Sequence, residues 1–382
     1  MSHLSKLPDV GTTIFTVMSK MAVDHNAINL SQGYPDFPSD PALIELVVRA
    51  MRDGLNQYAP MPGLLSLREA ISEKTASLYG RLYDPVSEVT VTAGATQALF
   101  TAISAFIYPG DEVILFAPAY DSYLPAVELY GGKARVVQMK PPAYKPDWEE
   151  VESLITDRTK MLVINSPHNP TGTVWDEQDM KTLQDLAVRY DFMVLSDEVY
   201  EHIIFDGIHH QSASKFEALA QRSLVTASFG KTFHNTGWKL GYCLAPSGLM
   251  EEFRKVHQYN VFSVNRPVQE GLAAYLKDPR NYLNLGQFYQ EKRDHFLKMV
   301  SGSRFELLPS SGTYFQLLDY SSISDEGDVQ FAESLTVEKG LATIPTSVFN
   351  PGGEDFRQLR VCFAKTTETL DKAAEIINAV QH

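Results

Sequence analysis

The sequence has only two cysteines, no long hydrophobic run and no block of basic residues. Cys243 and Cys362 both lie in apolar segments, which argues against a disulfide framework or a thiolate metal site. No apolar stretch is long enough to span a membrane, and the first residues lack the apolar run of a signal peptide. The formal charge of −14 argues against nucleic acid as a partner. We therefore expect a cytoplasmic protein with no membrane or nucleic-acid partner.

The length and the hydrophobic pattern predict two domains. The chain has 382 residues, whereas single cores stop growing near roughly 250 to 300 residues. Between about residues 65 and 230, short apolar runs alternate with amphipathic stretches, which is typical of an α/β fold with a largely parallel sheet. Past about residue 265 the pattern predicts a smaller α+β domain. The first 35 residues are loop-rich and are expected to cover the site or to join the second domain.

Five apolar runs of the predicted sheet end in polar clusters. Because the carboxyl ends of parallel strands meet at one sheet edge, where ligands bind in α/β folds, we expect these clusters to lie together. The clusters are 93–97, 117–121, 166–172, 196–200 and the segment from 228 onward.

Lys231 follows the last of these strands, between glycines and hydroxyl residues. Its amine could form a Schiff base with an aldehyde cofactor, provided that burial or a cation such as Lys239 lowers its pKa. The alternative is a solvated loop lysine, which is the commoner role of a lysine.

Two further clusters suit the ends of such a cofactor. Gly94 opens a predicted helix whose free N–H groups would hold a phosphate, with Ser228 and Lys239 adding a hydroxyl and a cation. The alternative is a plain glycine turn. Asp197 follows an apolar strand, where a carboxylate needs a cation or a strong donor such as a protonated pyridine nitrogen. A helix cap or a structural ion pair would also explain Asp197.

Six motifs in this order resemble class I pyridoxal-phosphate aminotransferases of the aspartate aminotransferase fold, fold type I. They lie at 56–60, 92–97, 169–172, 196–200, 228–241 and 359–363. The nearest branch comprises methionine aminotransferases and the kynurenine and glutamine transaminases. The resemblance implies a large domain with a mostly parallel seven-stranded sheet flanked by helices, and a smaller α+β domain. It implies an arm over 1–35, a cofactor domain over 36–264 and a small domain over 265–382.

The resemblance also implies roles for single residues. Lys231 would hold pyridoxal 5'-phosphate and later move a substrate proton, Asp197 would keep the pyridine nitrogen protonated, and Arg360 would grip the substrate carboxylate in a bidentate fork. Many relatives carry arginine where this chain has Lys239. The other cofactor contacts implied are Ala95, Thr96, Tyr120, Asn169, Tyr200, Ser228, Lys239, and Tyr58 from the neighbouring subunit of a homodimer. The other substrate contacts implied are Gly33, Asn169, and an aromatic pocket of Phe15, Tyr34, Tyr58 and Tyr123.

Such a pocket favours neutral hydrophobic, sulfur-containing or aromatic amino acids, namely methionine, phenylalanine, tyrosine or kynurenine. The amino group would pass to a 2-oxo acid with ping-pong kinetics. Core packing is the alternative role for each aromatic residue, and Arg266 is close enough to serve as a second substrate arginine.

The main alternative activity is a cysteine-conjugate C–S β-lyase with the same cofactor. A metal hydrolase using His202, His209 and His210 lacks a metal-ligand signature, and we expect no metal. A regulatory protein would need a DNA-binding module that the N-terminus is too short to hold.

Overall fold

The computed structural model describes residues 4–8 and 10–380. Within these ranges the chain alternates between strands and helices over most of its length. The strands are β1 Ile28–Asn29, β2 Val89–Thr92, β3 Glu112–Ala117, β4 Lys133–Gln138, β5 Thr159–Asn165, β6 Met193–Asp197, β7 Ser223–Ser228, β8 Gly241–Leu244, β9 Glu306–Leu307, β10 Phe315–Asp319, β11 Leu341–Ala342, β12 Ile344–Pro345 and β13 Gln358–Cys362.

The helices begin and end at residues suited to those positions. Asp176 caps one helix with a reciprocal capping box to Asp179, and Gly80 and Gly340 end two others in the left-handed conformation. The helices are α1 Ile14–Asp24, α2 Pro41–Arg52, α3 Leu65–Tyr79, α4 Ala95–Phe106, α5 Tyr123–Leu129, α6 Trp148–Leu154, α7 Glu177–Arg189, α8 Glu217–Ala220, α9 Phe229–Thr232, α10 Ser247–Asn260, α11 Arg266–Tyr275, α12 Arg280–Leu283, α13 Leu285–Val300, α14 Asp328–Lys339 and α15 Thr367–Ala379.

The larger sheet has seven strands in the order β2-β8-β7-β6-β5-β3-β4. Only β8 runs against its neighbours, so the sheet is mostly parallel, as predicted. The five strands expected from the sequence are β2, β3, β5, β6 and β7, and they all run in one direction. Their carboxyl ends therefore meet at one edge. Buried apolar side chains cover both faces of this sheet, with α4, α5 and α10 packed on one side.

A smaller antiparallel sheet has the strand order β12-β13-β10-β9. The chain's first segment packs beside this sheet: β1 and β11 form a separate two-stranded parallel sheet, and α1 packs on α14 and contacts β12. The expectation of a loop-rich start was wrong in one respect: Thr13 accepts a hydrogen bond from Thr16 N and starts the 11-residue helix α1.

The predicted domain limits of 1–35, 36–264 and 265–382 remain a prediction. Helix α11 follows the proposed limit at 264, yet it packs against α2 and α3. Gly271 on α11 lies so close to Val47 on α2 that a Cβ would approach the Val47 methyl to 2.6 Å. This packing favours a boundary after α11. None of the helices within the described residues is long and apolar enough to cross a membrane.

Candidate active site

The carboxyl edge of the larger sheet opens into a cavity of about 300 Å³. It lies between this edge, the N-terminal segment and the smaller sheet. Its walls are Phe15, Gln32, Gly33, Tyr34, Gly94, Ala95, Thr96, Leu99, Tyr120, Asn165, Asn169, Asp197, Val199, Tyr200, Ser228, Gly230, Lys231, Thr236, Lys239, Leu240, Phe315 and Arg360.

Lys231 reaches this cavity from α9, directly after β7. Ser228, the last residue of β7, caps α9 by accepting a hydrogen bond from Lys231 N at 3.3 Å. The Lys231 amine donates to the Gly33 carbonyl at 3.1 Å and to the Tyr314 hydroxyl at 2.9 Å. Burial, helped by the charges of Arg360 and Lys239, lowers the pKa of Lys231 to about 8. A substantial neutral fraction at mild pH is what a nucleophilic amine needs.

Asp197 ends β6 in the floor of the cavity. Its carboxylate accepts a hydrogen bond from the Tyr123 hydroxyl at 2.6 Å and from Val199 N at 3.3 Å. Burial raises the pKa of Asp197 to about 6, although the Tyr123 hydrogen bond opposes that shift. The Asn165 amide bonds to the Asp197 carbonyl at 2.9 Å and fixes the strand end. Within the described ranges no side chain forms an ion pair with this carboxylate, so it suits a cationic ring nitrogen.

Another part of the cavity wall is a cradle for an anion. Gly94 has φ +82° and precedes α4, and no side chain of the described residues caps this helix start, whose first N–H groups have no partner within the helix. Lys239 adopts a left-handed backbone with φ +56°, and a Cβ on Gly94 would lie 3.5 Å from its Nζ. Within the described residues, the Lys239 amine has no carboxylate partner. Thr96 adds a hydroxyl 3.3 Å from that of Tyr120. The cradle therefore presents positive charge and donors to a phosphate.

Arg360 is a buried cation that lacks a counter-ion in the part of the chain described here. Its guanidinium donates to the Asn169 side-chain oxygen at 2.9 Å and to the Ser31 carbonyl at 3.1 Å, and its exposure is 1%. The ring of Phe315 lies 4.0 Å from its Cζ. Burial lowers the pKa of Arg360 to about 10. An isolated buried charge is unfavourable, so this geometry calls for a carboxylate from a ligand.

The structure brings most of the predicted site residues into this cavity, with two exceptions. Tyr58 is 78% exposed, outside the cavity, and contacts the ring of Phe262. Contrary to the prediction, Tyr123 does not line the cavity: it is buried and its hydroxyl donates to the Asp197 carboxylate. Arg266 bonds to Glu270 at 3.3 Å and is also outside the wall. The predicted residues that line the cavity are Phe15, Gly33, Tyr34, Ala95, Thr96, Tyr120, Asn169, Asp197, Tyr200, Ser228, Lys231, Lys239 and Arg360.

The residues of the site that sequence reasoning missed include Asn165, Tyr314 and Phe315. Asn165 ends β5 immediately before the 166–172 cluster, so the strand-end rule could have identified it. Phe315 begins β10 of the other sheet and Tyr314 lies just before it, and nothing in their local pattern indicates that they face Lys231 and Arg360.

Two of the histidines considered for a metal hydrolase, His202 and His210, have side chains that are buried in other surroundings. His210 bonds to Glu198 at 2.8 Å, and burial lowers the pKa of His202 to about 3. Among the residues described, no group of three or more His, Cys, Asp or Glu side chains could hold a metal ion.

Comparison with known proteins agrees with this geometry. The sequence model of the family "Aminotransferase class I and II" matches residues 25–377. The chain belongs to this family. It is 49% identical to the methionine aminotransferase of Escherichia coli (strain K12) over 97% of this chain and 96% of that one. It is 33% identical to the human kynurenine–oxoglutarate transaminase 3 over 99% of this chain and 90% of that one.

Solved aminotransferase structures share the whole fold. An E. coli protein with an identified methionine aminotransferase function superimposes with a TM-score of 0.97 at 48% identity, covering 99% of both chains. The N-succinyldiaminopimelate aminotransferase of Mycobacterium tuberculosis gives 0.95 at 34% identity, covering 99% of this chain and 100% of the other. The predicted family, fold type and transaminase class are therefore confirmed.

Aminotransferases of this family use pyridoxal phosphate, as predicted, and the cavity fits that cofactor. The Lys231 amine has a lowered pKa, the Asp197 carboxylate lies on one side, and the Gly94 cradle with Lys239 lies on another. These are an amine for the aldehyde, an anion for the ring nitrogen and donors for the phosphate. The individual roles of these residues remain predictions.

Proposed function

We propose that this aminotransferase moves the amino group of a neutral hydrophobic, sulfur-containing or aromatic L-amino acid to a 2-oxo acid. The observation that carries this proposal is Arg360, a buried cation without a carboxylate partner in the described chain, in the same cavity as Lys231. Amino acids and 2-oxo acids both present a carboxylate beside the reacting carbon, which Arg360 would bind with its planar fork.

The side-chain preference follows from the remaining walls. Phe15, Tyr34 and Leu99 supply apolar surface. Three cations line the cavity: Lys231, Lys239 and Arg360. In this proposal Lys231 carries the cofactor, Lys239 binds its phosphate and Arg360 binds the substrate α-carboxylate. None of the three remains for a second carboxylate in the substrate side chain. Methionine, phenylalanine, tyrosine and kynurenine fit such walls. The similarity to methionine and kynurenine aminotransferases supports the same choice.

In this proposal each catalytic residue acts on a particular atom of the cofactor or the substrate. Pyridoxal phosphate, when bound, supplies an electron-accepting ring. Asp197 would hold a negative charge beside the ring nitrogen, and Tyr200 and Asn169 would donate to the ring's phenolic oxygen. Lys231 would carry the cofactor and, once its amine is free, take the proton from the substrate Cα. Arg360 would hold the carboxylate so that this proton faces Lys231 Nζ.

The cofactor's other contacts follow the same proposal. Ala95, Thr96, Ser228 and Lys239 would bind the phosphate, and Tyr120 would stack on the ring. Gly33, Phe15 and Tyr34 would face the substrate. This division is supported by the positions of these residues around the cavity.

The active assembly in this proposal is a homodimer in the cytoplasm. Tyr58 and its neighbour Phe262 are both exposed, which supports a contact of Tyr58 with the active site of a neighbouring subunit. The two free buried thiols suit a reducing compartment. Mixed dimers test the shared site. Lys231→Ala and Tyr58→Ala subunits, each impaired alone, should regain activity when combined, because one site of the mixed dimer carries both native residues. If the mixed dimers regain no activity, Tyr58 does not contribute to the active site of the neighbouring subunit.

Steady-state kinetics test the activity. We expect parallel double-reciprocal lines, as ping-pong turnover requires, and higher kcat/KM for methionine, phenylalanine, tyrosine or kynurenine than for aspartate or glutamate. Lys231→Ala should abolish turnover. A preference for aspartate would contradict the proposed substrate class, and release of ammonia and pyruvate from a cysteine conjugate without amino transfer would favour the lyase.

A further inference from the structure

Tyr314 lies directly behind Lys231, although it does not line the cavity. It is fully buried just before β10. Its hydroxyl donates to the Gly33 carbonyl at 2.6 Å and accepts a hydrogen bond from the Lys231 amine at 2.9 Å. The same Gly33 carbonyl accepts a second bond from the amine at 3.1 Å.

The number of hydrogens fixes the direction of these bonds. A tyrosine hydroxyl has one hydrogen, and here it is committed to the Gly33 carbonyl. The hydroxyl can therefore only accept from Lys231. A neutral amine has two N–H groups and one lone pair, and both N–H groups have an acceptor in Tyr314 and Gly33. Among the described residues no donor bonds to the lone pair.

Close packing holds this arrangement in place. The Tyr314 ring contacts those of Tyr200 and Tyr289 at centroid distances of 5.2 and 5.7 Å. A Cβ on Gly33 would lie 2.8 Å from Cζ of Phe315, so a larger residue at position 33 would push this ring away from the Gly33 carbonyl. Neither acceptor can move far from the amine.

We propose that Tyr314 is a positioning residue for Lys231. Together with the Gly33 carbonyl it occupies both N–H groups of the freed amine and leaves the lone pair to accept the proton from the substrate Cα. This role rests on the proposed function, since only there does the freed amine receive that proton.

The test compares Tyr314→Phe with a matched control in the cofactor-loaded enzyme. Tyr289→Phe removes a hydroxyl from the neighbouring ring, and that hydroxyl has no hydrogen-bond partner in the described structure. In single-turnover reactions with methionine, Tyr314→Phe should slow amino-group transfer roughly 10- to 100-fold, because the amine is misplaced. Its isotope effect with Cα-deuterated methionine should increase, and methionine binding should change by less than about threefold. The Tyr289→Phe enzyme should match the wild type.

A second readout does not depend on activity. In cofactor-free protein, acetic anhydride should label Lys231 with a pH midpoint set by its pKa, read by mass spectrometry. The Tyr314 oxygen stabilises the charged ammonium, so its removal should lower the pKa of Lys231 and move the midpoint to lower pH. Tyr289→Phe should leave the midpoint unchanged.

The outcomes separate this inference from the proposed function. If the wild type transfers amino groups but Tyr314→Phe keeps both the wild-type rate and midpoint, the role of Tyr314 is overturned. If the wild type transfers no amino group, the proposed function fails. The labelling experiment still tests the hydrogen bond between Tyr314 and Lys231, because an unshifted midpoint in Tyr314→Phe would overturn it. If Tyr314→Phe does not fold, 3-fluorotyrosine at position 314 keeps the shape and weakens the acceptor. It should cause the same changes with smaller amplitude, and no change would overturn the inference.

Discussion

Replacing Tyr123 by phenylalanine removes the strongest hydrogen bond to the Asp197 carboxylate. The Tyr123 hydroxyl donates to Asp197 at 2.6 Å, whereas the remaining donor, Val199 N, is at 3.3 Å. Asp197 is buried, and its pKa is already raised to about 6 by that burial. The substitution removes a contribution that lowers this pKa, so the pKa of Asp197 must rise further.

The size of the effect follows from the hydrogen bond. A hydrogen bond to a charged group contributes about 1.5 to 3 kcal/mol, and about 1.36 kcal/mol corresponds to a tenfold change in proton affinity. In the variant, Asp197 should therefore be mostly protonated at pH 7. Binding of a cofactor with a protonated ring nitrogen requires the anion, so affinity should fall roughly tenfold at pH 7. The loss should shrink as pH rises and ionises Asp197. In the wild type, affinity should fall only below about pH 6.

The assay is a titration of cofactor-free protein with pyridoxal phosphate from pH 6 to 9, followed by absorbance. Tyr130→Phe is the control, because Tyr130 directly follows the helix that Tyr123 begins and its hydroxyl bonds to none of the described residues. If Tyr123→Phe leaves cofactor affinity unchanged but raises the KM for methionine, Tyr123 does not keep Asp197 ionised for the cofactor. That result would place Tyr123 in the substrate pocket.

Three further substitutions test the site and the fold. Arg360→Lys keeps the charge but loses the fork, so kcat/KM for methionine should fall roughly 10- to 100-fold in steady-state kinetics; unchanged kinetics would exclude a fork. Lys74→Met leaves the carboxylate of Glu201, 2.6 Å away, buried without its cation. Urea unfolding should show a loss of about 3 to 5 kcal/mol, partly recovered by adding Glu201→Gln, and no recovery would contradict the pairing. Gly172→Ala places a Cβ against a serine side chain at φ +74° and should cost roughly 1 to 3 kcal/mol in calorimetry, whereas Gly302→Ala, with open space around it, should cost less.

The sheet edge and its polar clusters could be predicted because they depend on local pattern. Buried parallel strands are continuous apolar runs, and the residue after each run must lie at the carboxyl edge. Lys231 and Asp197 follow this rule directly. The five predicted strands omitted the partly exposed edge strand β4 and the antiparallel β8.

The missed or misplaced residues depend on tertiary contacts. Tyr123 begins the short helix α5, and which way its ring points is decided by Asp197, 74 residues later. Tyr314 meets Lys231 across 83 residues of sequence, through a contact between the start of β10 and the helix that follows β7. Tyr58 lies outside the cavity of its own chain. Local periodicity carries no information about such long-range pairs.

Transfer of isotopic nitrogen shows directly whether this protein transaminates through Lys231. The cofactor-loaded protein is mixed with [¹⁵N]methionine and the 2-oxo acid of phenylalanine, and the products are read by mass spectrometry, with Lys231→Ala in parallel. We predict that ¹⁵N appears in phenylalanine with the wild type and not with the variant. Release of ¹⁵N as ammonia, or equal transfer by Lys231→Ala, would contradict a transaminase that works through Lys231.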